Sequence, residues 1–87
     1  MSEARSETSV YSRNRGLKYR ASFNIDNQVE YEGWAMDNNA TEDEKKWQII
    51  KHTYTSGNLT ASNWATPTNG TPTDDFIFSW TLKENYF

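Results

Sequence analysis

The chain has 87 residues, 34% of them hydrophobic, a mean hydropathy of −0.99 and no cysteine. These values imply a single domain without disulfide staples or thiolate metal sites, and no apolar run approaches the length of a membrane span. The net charge of −3 and a sequence pI near 5.0 weigh against a nucleic-acid domain, which needs a basic footprint.

Residues 1–16 are polar and carry only Val10 and Tyr11 as larger apolar groups. Such a segment buries too little to offset its ordering entropy, so it reads as an extended arm ahead of a domain at 17–87. The mixed-charge start is not followed by the apolar stretch of a secretory leader. The acceptor patterns at Asn39, Asn58 and Asn69 therefore read as loop composition.

Leu17 to Ile25 alternates. Leu17, Tyr19, Ala21, Phe23 and Ile25 share one face, and Lys18, Arg20, Ser22 and Asn24 the other, which predicts a half-buried strand. Asp26-Asn27 is turn chemistry. A second strand follows at 28–36, with Val29, Tyr31, Gly33 and Ala35 opposite Glu30, Glu32 and Trp34. Gly33 marks a bulge or a close backbone approach. The two runs form a predicted hairpin that sets Lys18 and Arg20 across from Glu30 and Glu32.

Asp37 to Lys46 is a polar connection in which Thr41 and Glu44 match a capping box, with room for one helical turn. The clearest long-range constraint spans Trp47 to Ala65, two strand-like runs around Gly57-Asn58 that predict a second hairpin. A loop with Pro67, Gly70 and Pro72 leads to a last alternating strand at 76–83. The expected fold is all-β, a small antiparallel β-sandwich or barrel of about five strands with an extended N-terminal arm.

No constellation predicts catalysis, a cofactor or a metal. His52 is the single histidine, and the sequence places no serine or carboxylate with it. Asp37-x-Asn39-x-Thr41-x-Asp43 starts like a calcium loop but has Glu42 where that loop needs glycine and Gln48 where it needs its last glutamate. Asp74 and Asp75 are adjacent, so on an extended chain they point to opposite faces and cannot flank one glycosidic bond. Arg13, Arg15, Lys18 and Arg20 surround Tyr19, a pattern able to contact phosphates, but in an acidic chain they fit an acidic protein surface better. Trp34 stands on the outward face of its predicted strand, as an interface anchor or a sugar platform. The candidate interface is Arg13, Arg15, Arg20, Trp34, Asp37, Asp43 and Glu44. Residues 26–44 hold seven acids and no base, so this excess and the arginines of the arm suggest head-to-tail contacts between copies.

From Tyr31 onward the order Tyr31-x-Gly33-x-Ala35, Trp47-x-Ile49-x-Lys51, Gly57-Asn58-x-Thr60, Trp64-Ala65 and Phe76-x-x-x-Trp80 resembles a group of short proteins encoded by tailed bacteriophages. The match covers roughly residues 31–80. It departs at Asp37 to Lys46, where that group tends to have a Gly- and Ala-rich loop, and at Lys83, where the group has an arginine. The resemblance implies a non-enzymatic virion component, a capsid decoration, head–tail adaptor or tail subunit, assembled in the host cytoplasm. Its partners would be further copies of itself and neighbouring virion proteins, with no small-molecule substrate, nucleic acid or membrane. The alternative is a carbohydrate-binding module that uses exposed aromatics.

Overall fold

Two turns and one glycine decide where the elements lie. The computed structural model describes residues 18–87; the arm at 1–16, with Arg13 and Arg15, and Leu17 lie outside the described residues. The elements are β1 (Tyr19–Phe23), β2 (Val29–Ala35), β3 (Lys45–Thr55), β4 (Asn58–Trp64), β5 (Phe78–Ser79) and a 3-10 helix (Trp80–Tyr86). All strand pairs are antiparallel, in one five-stranded sheet. The fold is therefore all-β with the expected strand number.

The first turn is held by Asn24. Its Oδ1 accepts from the backbone N–H of Asp26 and of Gln28, while Asn27 takes φ 63°. Asparagine tolerates that left-handed conformation and caps its own turn, so the expected turn at Asp26-Asn27 forms. The second turn is Ser56-Gly57, with φ 53° and 83°. Two successive positive φ values belong to the type I′ hairpin, whose twist matches the flanking strands. The turn thus falls one residue earlier than the expected Gly57-Asn58.

Strand order is β1-β2-β3-β4. Trp47 pairs with Ala35 of β2 and with Phe78 of β5, so β5 lies on the side of β3 away from β2, in line with β4. Among the described residues the sheet stays open. β1 forms one edge, and β4 with β5 the other.

The core forms on one face of this sheet. Tyr31, Ala35, Trp47, Ile49, Ala65, Phe78 and Trp80 are buried there with Ala40 of the connecting loop, and Tyr86 packs against them. The second layer over this face is the 3-10 helix rather than another sheet. The expected strand at 76–83 shortens to Phe78–Ser79 because the edge of β3 open to it is short. It runs only from Lys45 to Trp47 before β4 occupies that side. Beyond it the chain turns inward, and Trp80 drops over Gly33.

That contact explains the glycine. A Cβ on Gly33 would sit 2.6 and 2.8 Å from Trp80 Cε3 and Cζ3, and 3.2 Å from Trp47 Cε3. The expected close approach is thus an indole ring, and no bulge occurs at this position. Trp47 and Trp80 lie 5.9 Å apart between ring centroids. Ser79, 1% exposed, donates its N–H to the Tyr86 hydroxyl, closing the helix on its own start. The carbonyl of Glu42 accepts from Thr81 N–H and from Ser79 Oγ, which docks the helix start on the 37–46 loop. Trp47 Nε1 donates to the Thr41 carbonyl of the same loop.

The first strand corrects its expected orientation. Tyr19 pairs with Trp34, and Ala21 with Glu32, so the apolar face of β1 lies on the reverse of the core. Tyr19, Phe23 and Ile25 are exposed at 41%, 55% and 99%. Sequence alternation shows that a strand has two faces but not which one the rest of the chain covers.

Placing a methyl group at position 33 requires the two packed indoles to shift, and overpacking of this kind costs about 1–3 kcal/mol. We expect Gly33→Ala to lower the urea midpoint with an unchanged m value. A Gly33→Ala, Trp80→Leu double variant should recover part of that loss relative to Trp80→Leu alone.

Candidate functional site

The expected interface residues fall into two places. Arg20 Nε lies 2.7 Å from Glu42 Oε2, and its guanidinium also donates to the Tyr19 carbonyl at 2.9 Å. Lys18 Nζ donates to the Ala40 carbonyl at 2.7 Å. The expected pairing of Lys18 and Arg20 with Glu30 and Glu32 therefore does not form. Register is the cause, since Arg20 sits opposite Gly33 and Ala21 opposite Glu32, which puts Arg20 and Glu32 on opposite faces of the sheet.

The loop acids also have local partners. Asp37 Oδ1 accepts from Asn39 N–H, and its Oδ2 lies 3.7 Å from Lys46 Nζ. Asp43 Oδ1 accepts from Thr41 Oγ1, while Glu44 accepts from Thr41 N–H and lies 3.9 Å from Lys46. Glu44 supplies half of the expected capping box. Each ion pair is exposed enough to contribute no more than about 1 kcal/mol. Arg20 and Lys46 thus meet Glu42, Asp37 and Glu44 within one subunit, while Asp43 is held by a hydroxyl. Asp37 and Asp43 turn onto their own loop, and among the described residues no three metal-ligating side chains gather.

Trp34 differs most from expectation. It is 5% exposed, with the Tyr19 ring 5.6 Å away. A buried indole is neither a sugar platform nor an exposed interface anchor. Trp34 lies on the sheet face opposite Gly33, and that face is partly covered.

The same face carries a feature that the sequence reading missed. Tyr19 Oη donates to Glu32 Oε2, Glu32 Oε1 meets His52 Nε2, and His52 Nδ1 meets Ser62 Oγ, each at 2.7 Å. One residue from each of β1, β2, β3 and β4 takes part, so side-chain hydrogen bonds cross four strands. The Glu32 carboxylate only accepts, so Nε2 of neutral His52 carries the proton and Nδ1 accepts from the Ser62 hydroxyl. This is the order of contacts in a serine nucleophile with its base and orienting acid. Its surroundings differ. Ser62 stands exposed on the outer strand of an open sheet. Ala65 N–H donates to Ile49 O, so by antiparallel alternation the peptide groups of Ser62 and Trp64 point out from the edge. These N–H groups lie in the plane of the sheet, away from the face that carries Oγ, and cannot cradle an oxyanion there. The row acts as a lateral interlock.

His52 also borders a cavity of about 350 Å³ between the two hairpins, with Glu30, Lys51 and Tyr54 among its lining. β2 and β3 pair only as far as Tyr31 and Lys51. Beyond that point they part, and two bonds hold the tips together: Gln28 Nε2 to the Gly57 carbonyl, and Tyr54 Oη to the Val29 carbonyl.

β4 is the least protected element. Asn58 through Asn63 are all exposed, and the strand carries no charge and no proline. Its one irregularity is at Thr60, which the register skips between Thr53–Ala61 and Tyr54–Leu59 and whose Oγ1 bonds back to the Thr53 carbonyl. No helix among the described residues is long and apolar enough to cross a membrane. No protein-family model, curated protein or solved structure matches the chain.

His52 and Glu32 are mostly buried, with side chains 17% and 14% exposed. Removing the imidazole leaves the carboxylate short of a donor, at a cost of about 1–3 kcal/mol. We expect His52→Ala to destabilise by this amount in urea and Ser62→Ala by less than half of it. Nitrogen NMR of neutral His52 should find the proton on Nε2.

Proposed function

We propose that this chain is a non-enzymatic structural subunit of a bacteriophage particle, present in many copies and joined to its neighbours through the free edge of β4. The observation that carries the proposal is that edge. Natural sheets shield their edges with charge, proline, short strands or covering loops. β1 follows this practice, being five residues long with Arg20 tied to Glu42. β4 is seven residues long, uncharged and exposed, and it offers the outward peptide groups of Ser62 and Trp64. A neighbour that adds a strand there gains main-chain hydrogen bonds without first displacing anything. The resemblance of residues 31–80 to short phage proteins supports the virion as the setting, and its motif Gly57-Asn58-x-Thr60 opens this same strand.

The choice of β4 leaves aside the arm-over-loop contact. Asp37, Glu42 and Glu44 have cationic partners within the subunit, so the reading rests on the free strand edge instead. Strand addition at β4 extends the sheet, and the Tyr19–Glu32–His52–Ser62 row keeps that edge in register with the strands behind it.

The test is assembly. In sedimentation the full chain should self-associate with rising concentration, and it should co-purify with phage particles by mass spectrometry. Leu59→Lys with Ala61→Lys adds charge to the edge at exposed positions. We expect this variant to keep the parent far-UV spectrum and to lose self-association. A chain that stays monomeric and never appears in particles refutes the reading, and so does undiminished association of the charged variant.

A further inference from the structure

Beside the 3-10 helix lies a groove of about 340 Å³ with Lys51, Thr53, Asn63, Trp64, Thr66 and Phe87 among its lining. Three of its properties point to one kind of ligand. The first is a fixed aromatic ring. Phe87 is 42% exposed and packs edge-on against buried Tyr31 at 5.7 Å between centroids, so it is anchored on one side and open on another. The second is charge without a counter-charge. Lys51 Nζ lies 5.6 Å from the Tyr31 centroid. Lys83 Nζ, outside the groove lining, approaches the same ring at 5.9 Å and lies 4.6 Å from the Trp80 ring. Among the described residues neither ammonium has a carboxylate partner. Two like charges held by cation–π contact around one ring leave a positive potential beside the groove that an anion at Lys51 would relieve. The third is neutral polar lining, with the hydroxyls of Thr53 and Thr66 and the amide of Asn63 at the groove wall. A volume of this order is in the range of small-ligand sites.

We propose that this groove binds an acidic saccharide, with the C–H face of one sugar ring on Phe87 and its carboxylate at Lys51. A phosphate alone would use the ammonium group and leave Phe87 idle. A neutral sugar would use the ring and leave Lys51 unanswered. A uronic acid residue uses both, and its hydroxyls meet Thr53, Asn63 and Thr66. The site lies over the core face, beside the helix, and does not depend on assembly through β4. It also gives the exposed-aromatic expectation a location other than the buried Trp34.

The experiment is an amide NMR titration of the full chain with three probes: an oligogalacturonide, the neutral oligogalactoside of equal length, and a glutamate oligopeptide of equal charge. The expected result is that the oligogalacturonide moves the amides of Thr53, Asn63, Thr66 and Phe87 and binds at least about tenfold more tightly than either other probe. Lys51→Ala and Phe87→Leu should each weaken it about tenfold. Phe87→Leu keeps apolar contact with Tyr31 while removing the ring face, and circular dichroism of both variants checks the fold. Equal binding of the glutamate peptide would make the site a charge sink and overturn the proposal. Equal binding of the neutral sugar, shifts confined to other residues, or no binding would overturn it as well.

Discussion

Everything on the core side of this sheet depends on one ring lying over one missing side chain. Gly33 removes the Cβ from the middle of β2, Trp80 occupies the space, and Trp47 completes the stack. A small domain with few aliphatic residues has few ways to bury area, and two indoles in contact supply a large share of what it has. The contact also sets the topology at the end of the chain. Trp80 can reach Gly33 only if the last strand stops after Ser79 and the backbone coils, so a 3-10 helix replaces a longer strand. The two helical turns on either side of a kink at Leu82 then set Lys83 near the Trp80 ring and Tyr86 against Phe78.

The two faces of the sheet work by different physics. The core face is dry, aromatic and closed by the helix. The reverse face is tied together laterally by the row from Tyr19 to Ser62, in which each polar group answers its neighbour on the next strand. Packing holds layers together, whereas the row holds strands in register. A sheet whose outer strand is otherwise unsupported needs the second kind of restraint, because slippage by one residue would turn every β4 side chain to the wrong face.

Much of this was legible in the sequence, and the misses have identifiable causes. The inward set Tyr31, Gly33 and Ala35 and the turn at Asn27 follow from alternation and turn chemistry. The face of β1 did not, because alternation carries no sign. The row through His52 was hidden by two single-residue offsets. A turn at Gly57-Asn58 would place His52 opposite Asn63, a turn at Ser56-Gly57 with regular pairing would place it opposite Ala61, and skipping Thr60 places it opposite Ser62. Nothing in the local residues marks Thr60 as the extra one. The charge map misled for a related reason. It counts acids and bases along the chain, while the register sets Arg20 opposite Gly33, on the other face of the sheet from Glu32, and its guanidinium meets Glu42 of the loop.

The connection between β2 and β3 has a consequence for how this chain can vary. By composition it looks like the most dispensable part of the domain, polar, acidic and on the surface. Yet Ala40 within it is fully buried, the Thr41 carbonyl holds the Trp47 indole, and the Glu42 carbonyl receives both Ser79 and Thr81. The two carbonyls are backbone anchors, indifferent to side-chain identity but strict about position, and Ala40 leaves room only for a small side chain. The segment should therefore accept many replacements and almost no insertions or deletions. In a set of diverging copies it would drift freely in composition while its length stayed constant, the reverse of what surface loops ordinarily do.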